Sequence, residues 1–177
     1  MKTVIFVRTT SIYNDSRAIK EILSLSNNGY KVIVLGWDRN GKATEKCSSL
    51  FNDNVSLYFF KCNIIKIGFR HIDKLALWFK WVYAKLILLT KRDKPGSFIV
   101  HACDLDSGLP VYLFMRKNIQ LNIKLVYDVY DYYIDLHHIP HLLENMVEQI
   151  EINIINAADV TIICTEERRV QIQKASP

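Results

Sequence analysis

Glycine is scarce, six in 177 residues, and none falls where nucleotide chemistry would need it. The turn after the first apolar run reads Arg8-Thr9-Thr10-Ser11-Ile12-Tyr13-Asn14-Asp15-Ser16-Arg17. A dinucleotide turn needs G-x-G-x-x-G so that backbone can approach a pyrophosphate, and a P-loop needs G-x-x-x-x-G-K-[ST]. Neither pattern occurs, which disfavours an NAD enzyme, a P-loop NTPase and a nucleotide-binding regulator. Four prolines beside the six glycines exclude collagen-like and low-complexity classes. The four cysteines, Cys47, Cys62, Cys103 and Cys164, form no C-x-x-C and no Cys/His ligand frame. They read as reduced, structural thiols, with Cys103 and Cys164 as small buried hydrophobes at the ends of apolar runs. No uncharged apolar run reaches the roughly 18 residues of a membrane-spanning helix. Arg8 interrupts the first apolar run before a signal-peptide core of about 7–15 residues is complete. The expectation is a cytoplasmic protein.

The composition that is present, 50% apolar and 23% charged, is that of one globular domain able to bury a real core. The net charge of +5 is unevenly spread. Nine basic residues and two acidic ones lie between Lys61 and Lys94, a net +7 that leaves −2 for the rest. A nucleic-acid footprint would recur along the chain, so no nucleic-acid partner is expected.

Short β-branched runs alternate with longer helical patterns. Strands are expected at Thr3–Val7, Lys31–Leu35, Val55–Phe60, Ser97–Val100, Lys124–Tyr127 and Val160–Cys164, most of them continuous apolar runs of the kind buried in a parallel sheet. Asp15 is placed to N-cap a first helix, and Gly29 to end it in a left-handed conformation just before the second strand. Further helices are expected from His71 to Thr90, from Leu105–Gly108 with Pro110 in the first turn, from Pro140 to Asn156, and from Glu166. Such alternation predicts an α/β, Rossmann-like three-layer sandwich around a mostly parallel sheet of about six strands. Ligands in such sheets sit beyond the carboxyl ends of the strands.

Three candidate clusters fall there. In the first turn, hydroxyls with Arg8 and Arg17 suit a sugar or phosphate; the plain structural alternative is that Asp15 caps and Arg17 pairs locally. After the fourth strand comes His101-Ala102-Cys103-Asp104, where His101 and Asp104 suit sugar hydroxyls, or else are a buried histidine and a capping aspartate. After the fifth, Tyr127-Asp128-Val129-Tyr130-Asp131-Tyr132-Tyr133 interleaves carboxylates with aromatic rings. Carboxylates accept hydroxyl hydrogens and ring faces pack on the C–H faces of sugars; packed core tyrosines are the alternative. The stretch Asp135-Leu136-His137-His138-Ile139-Pro140-His141 has histidines near helical spacing, but Pro140 breaks the register and no zinc frame supports it. Glu144, Glu148 and Glu151 form a stripe expected to be solvated or to meet a partner domain.

These motifs together carry a likeness. Asp15-Ser16-Arg17 with its helix to Gly29-Tyr30-Lys31-Val32, His101-Ala102-Cys103-Asp104, Val126-Tyr127-Asp128-Val129-Tyr130-Asp131, and Ile150-Glu151 through Ala157-Ala158-Asp159 to Cys164 resemble the N-terminal, acceptor-binding domain of GT-B-fold, GT4-type retaining glycosyltransferases. Cys103 stands where that family often has a second histidine, Tyr130-Asp131 replaces its His-Glu, and its first-loop glycines are missing. The resemblance implies one half of a GT-B fold over residues 1–177, with Arg17, His101, Asp104, Asp128, Tyr130 and Asp131 lining the sugar cleft. It implies a cell-surface polysaccharide or lipid-linked glycan as acceptor. No cofactor is expected in this domain and no metal: the nucleotide-sugar donor would sit in a C-terminal domain that has no counterpart before Pro177, and residues 1–177 alone should be inactive. The rival reading is a non-catalytic scaffold module that docks a partner subunit or a membrane.

The basic helix has its own pattern. At 100° per residue Ile72, Leu75, Phe79, Val82, Leu86 and Leu89 make a core stripe, while Leu77, Trp81, Ala84 and Leu88 fall opposite, beside Lys74, Lys80 and Lys85. That second face suits an anionic membrane surface or a protein contact.

Overall fold

The computed structural model describes residues 2–62, 72–92, 98–131, 133–134 and 139–175. Six strands form one sheet in the order β3-β2-β1-β4-β5-β6: β1 (Thr3–Arg8), β2 (Lys31–Asp38), β3 (Val55–Lys61), β4 (Ile99–Cys103), β5 (Lys124–Val129) and β6 (Val160–Ile163). All five pairings are parallel, so the sheet is wholly and not just mostly parallel. The strand order reverses between β1 and β4, which opens a crevice at the carboxyl ends of those two strands.

Alternation along the strands separates two cores. Ile5 and Val7 of β1 and Ile33, Leu35 and Trp37 of β2 face α3 (Ile72–Arg92), α4 (Leu105–Lys117) and α5 (His141–Ala157), while Phe6, Val32 and Val34 face α1 (Ser16–Asn27) and α2 (Ala43–Ser48). A last helix, α6 (Glu166–Ala175), follows β6. The local signals read from sequence act as expected at both ends of α1. The Asp15 carboxylate accepts from the Ala18 amide at 3.1 Å, and Gly29 adopts φ +81° before β2.

Five of the six strands run further at their carboxyl ends than the apolar runs that announced them, while β6 stops at Ile163, one residue short of the expected Cys164. β4 begins at Ile99 and continues through His101 to Cys103, and β5 continues through Asp128 to Val129. His101 and Asp128 are therefore strand residues rather than loop residues. They are tolerated in the sheet because they satisfy each other: His101 packs on Phe6 with ring centroids 4.7 Å apart, and its Nε2 lies 3.3 Å from Asp128 Oδ2. The expected positions Ser97, His71, Tyr132, Asp135, His137 and His138 lie outside the described residues. Pro140 precedes α5 and exposed His141 opens it, pairing with Glu144 at 3.0 Å.

Three helical expectations are corrected. Pro110 is six residues into α4 rather than in its first turn. Lacking an N–H, it leaves the Asp106 carbonyl one turn earlier without its helical donor, and the Trp78 indole N–H supplies one at 2.9 Å. That bond pulls Trp78 into the core of α3, where Trp78, Val82, Leu86 and Leu89 are buried and Ile72 is 61% exposed. Trp81 is only half-buried; it stacks on Trp78 at 5.5 Å and leans on Phe60, so its ring packs within the protein. Glu151 leaves the expected solvated stripe altogether. It is buried and accepts from the Tyr127 hydroxyl at 2.9 Å. Gly108 allows this close fit, since a Cβ there would meet the Tyr127 ring at 2.6 Å.

Candidate functional site

The site assembles from the ends of β1, β4 and β5 and the first turns of α1. Arg8, the last residue of β1, is 7% exposed. Its Nε donates to Asp15 at 2.8 Å, and Nη1 donates to Asp104. Burial opposes the Arg8 charge, but the fields of Asp104 and Asp15 hold the guanidinium more firmly protonated than in an ordinary arginine. Burial likewise opposes ionisation of Asp15; its bonds from the Ala18 amide, Arg8 and Thr10 win, and its carboxyl lies below the usual range.

Asp104 is the hub. It occupies the residue before α4, but its side chain does not cap that helix. Instead Oδ1 accepts from the backbone amides of Tyr130 at 2.8 Å and Asp131 at 3.3 Å, and Oδ2 accepts from Arg8. Its backbone sits at φ 61°, ψ 170°, a region a side chain disfavours by about 1–3 kcal/mol, which surrounding bonds must hold in place. Asp104 thus ties the end of β1 to the loop after β5.

Arg17, on the first turn of α1, reaches across the sheet edge to Asp128 while keeping a bond to Glu21 at 3.0 Å. Asp128 is fully buried and shares its second oxygen with His101. The Tyr130 hydroxyl donates to Glu21 at 2.9 Å, and the guanidiniums of Arg8 and Arg17 lie over its ring at 4.1 Å and 4.0 Å. Tyr130 therefore orders two arginines through cation–π contact rather than offering a bare face to a sugar. Burial, then the nearby Asp128 charge, raises the pKa of Glu21.

Of the residues singled out by sequence, Arg17, His101, Asp104, Asp128 and Tyr130 come together here. Asp131 stays exposed and joins through its backbone N–H. Cys164 is exposed rather than buried, with Sγ 2.7 Å from an Arg17 nitrogen, while Cys103 is buried. All four cysteines are free. Three site residues were not singled out: Glu21, Asp15 as an ion-pair partner, and Arg39. Glu21 had a legible signal in its i, i+4 spacing from Arg17; Arg39 had none.

Glu21, His101, Cys103 and Asp128 each bring one ligand atom within 4.8 Å of the others, a set that could hold a metal ion. Two of the four, Asp128 and Glu21, are bonded to Arg17, and a dication would compete with that guanidinium for both carboxylates. In front of the network lies a cleft of about 490 Å³ lined by Arg8, Arg17 and Arg39, Asp15, Asn14 and the hydroxyl-bearing Thr10, Ser11 and Ser16.

Fold and site together define an α/β Rossmann-like half of the GT-B-like type, with a charged and hydroxyl-rich cleft at its strand-order reversal. Among solved structures, the chain is similar to one described as a UDP-N-acetylglucosamine 2-epimerase from Listeria monocytogenes, at TM-score 0.59 and 12% sequence identity. The match covers 99% of this chain and 42% of that one, so the chain spans about two fifths of the length of that neighbour. No family model matches the sequence, and no curated protein does.

Proposed function

We propose that this chain is the acceptor-binding half of a glycosyltransferase that moves a sugar from a nucleotide-sugar to a cell-surface polysaccharide or lipid-linked glycan. The carrying observation is the network of Arg8, Asp104, Arg17, Asp128 and His101 at the strand-order reversal. Such a network holds donors and acceptors rigidly at the edge of a cleft, as recognition of a polyhydroxy ligand requires. The structural neighbour's name, an enzyme of a UDP-sugar, supports the same substrate class. On this reading Arg17, on the cleft wall, positions acceptor hydroxyls and buried Asp128 holds Arg17 in place, Asp104 fixes the loop carrying Tyr130 and Asp131, and the nucleotide-sugar lies on a second domain of the full-length gene product.

The test is to incubate the full-length gene product with UDP-N-acetylglucosamine, with and without extracted host glycan. Release of UDP that requires the glycan supports transfer; turnover to an epimeric UDP-sugar without any acceptor favours the second reading, a sugar-nucleotide epimerase, which the neighbour's name raises. Arg17→Ala is expected to raise the acceptor KM about ten-fold or more, the worth of one charge-assisted hydrogen bond.

Among the described residues no helix is long and apolar enough to cross a membrane. We propose a peripheral contact instead, through the face of α3 that carries Leu77 and Leu88, 50% and 60% exposed, together with Lys74, Lys80 and Lys85. Lys85 already lies over the rings of Tyr58 and Trp81; Trp81 therefore supports this face from within. Leu77→Ser with Leu88→Ser is expected to cut sedimentation with anionic vesicles several-fold at unchanged folding, since both side chains are largely outside the core. Unchanged sedimentation excludes the contact.

A further inference from the structure

The three arginines of the cleft are not equivalent. Arg8 and Arg17 each hold two carboxylates, Asp15 with Asp104 and Glu21 with Asp128. Arg39, just past the end of β2, holds none: among the described residues no carboxylate lies within ion-pair reach of it. Its Nη2 donates to the Thr9 carbonyl at 2.5 Å, and its Nε is buried with no hydrogen-bond partner. A buried guanidinium N–H left without an acceptor is costly, and native structures seldom leave one without a reason. Its surroundings add to the imbalance. Burial, opposed by Asp106 and reinforced by the Arg8 charge, brings the Arg39 pKa down to about 10. The guanidinium lies 5.7 Å from the Trp37 ring centroid, which limits where the head can swing. The cleft wall it shares carries three guanidiniums against one carboxylate, Asp15, and that carboxylate is already bonded to Arg8 and to the Ala18 amide.

We propose that this cleft contains a phosphate subsite, with Arg39 as the cation that reads a phosphate group carried on the acceptor. The inference rests on the acceptor-binding reading above and adds a chemical class to it. A phosphate group gives the Arg39 guanidinium on the cleft wall the anionic partner that no described carboxylate supplies. The hydroxyls of Thr10, Ser11 and Ser16 on the same wall offer the remaining donors. A neutral sugar can accept from the arginines of the cleft but brings no anion to Arg39.

The experiment is calorimetric titration of the full chain with inorganic phosphate, glucose 1-phosphate and glucose, repeated with Arg39→Gln and Arg39→Lys. Glucose 1-phosphate is expected to bind more tightly than glucose, and Arg39→Gln to weaken it about ten-fold or more while glucose is unaffected. Arg39→Lys, which keeps the charge and loses the fork, should fall between. Vesicles of phosphatidylcholine with and without phosphatidic acid separate the sources: Arg39-dependent gain only on the phosphatidic acid vesicles assigns the phosphate to a lipid, and Arg39-dependent gain with the soluble ester alone assigns it to a glycan. If the variants fail to fold, the unaltered chain decides the subsite: tighter binding of glucose 1-phosphate than of glucose, with displacement by inorganic phosphate, supports it, and no displacement overturns it. Equal affinity for glucose and its phosphate, or an unchanged Arg39→Gln, overturns the subsite. Sugar transfer by a protein that shows no phosphate preference overturns the subsite and leaves the transferase reading standing. Phosphate preference without transfer supports the subsite alone.

Discussion

Arg8→Met should cost about 3–5 kcal/mol of folding stability, read as a lowered urea midpoint with little change in slope. The size follows from what the substitution strands. The Arg8 side chain is 9% exposed and its two partners, Asp15 and Asp104, are 13% and 16% exposed. Removing the guanidinium leaves two largely buried carboxylates, one of them held in a strained backbone conformation, with no cation between them. Methionine fills similar volume, so the loss reports charge rather than a cavity. The double variant Arg8→Met with Asp104→Asn should recover part of the loss, because one stranded charge is gone. Recovery of nothing would mean that Arg8 acts by packing on Tyr130 alone. The same variant should loosen the loop after β5, since Asp104 is what grips the Tyr130 and Asp131 amides.

Glu151→Gln should stabilise the protein increasingly above about pH 4.5, with the full gain reached at neutral pH and above. Burial raises the Glu151 carboxyl from its ordinary 4.5 to about 7. A carboxyl whose folded pKa exceeds its unfolded value binds more protons folded than unfolded between those two values, so stability falls as pH rises from about 4.5 to about 7. Above that window the ionised group costs on the order of 3 kcal/mol. Glutamine still accepts from the Tyr127 hydroxyl and carries no charge, and the buried Oε2, which has no hydrogen-bond partner, is no longer a charged atom. Wild type and variant should therefore be nearly equally stable near pH 4.5 and diverge up to pH 8. A constant difference across that range would show that the carboxyl does not titrate there. Activity of the full-length product offers a second readout, because Tyr127 lies in β5 directly before Asp128 and a strain on it is felt at the site.

Much of this molecule is local and was legible residue by residue. A short continuous apolar run such as Thr3–Val7, rich in β-branched residues and too short for an ordinary helix, reads as a strand buried on both faces, and Asp15 before a helical pattern and Gly29 after it fix the limits of α1 through their own backbone preferences. Alternation of such runs with helices long enough to cross over implies a parallel sheet, whose carboxyl strand ends are where ligands of such sheets bind. Arg17, His101, Asp104, Asp128 and Tyr130 are legible in the sequence for that reason: each falls at the end of a strand or between it and the first turn of the next helix.

What sequence could not settle is which polar group answers which. His101 and Asp128 look like loop residues until the β4–β5 ladder sets them in register, Cys103 against Asp128. Asp104 reads as a helix cap, yet a pair of amides 26 and 27 residues away and an arginine 96 residues away claim its carboxylate. Glu151 reads as solvated because its neighbours in the stripe are charged, and only the packing of α5 over β5 buries it beneath Tyr127. Trp78 enters the core because Pro110, on another helix, leaves one carbonyl without a donor. Propensity and patterning determine elements because they act over a few bonds. Partners across the sheet are chosen by desolvation, which penalises each buried donor or acceptor left unmet and is felt only once the chain has closed on itself.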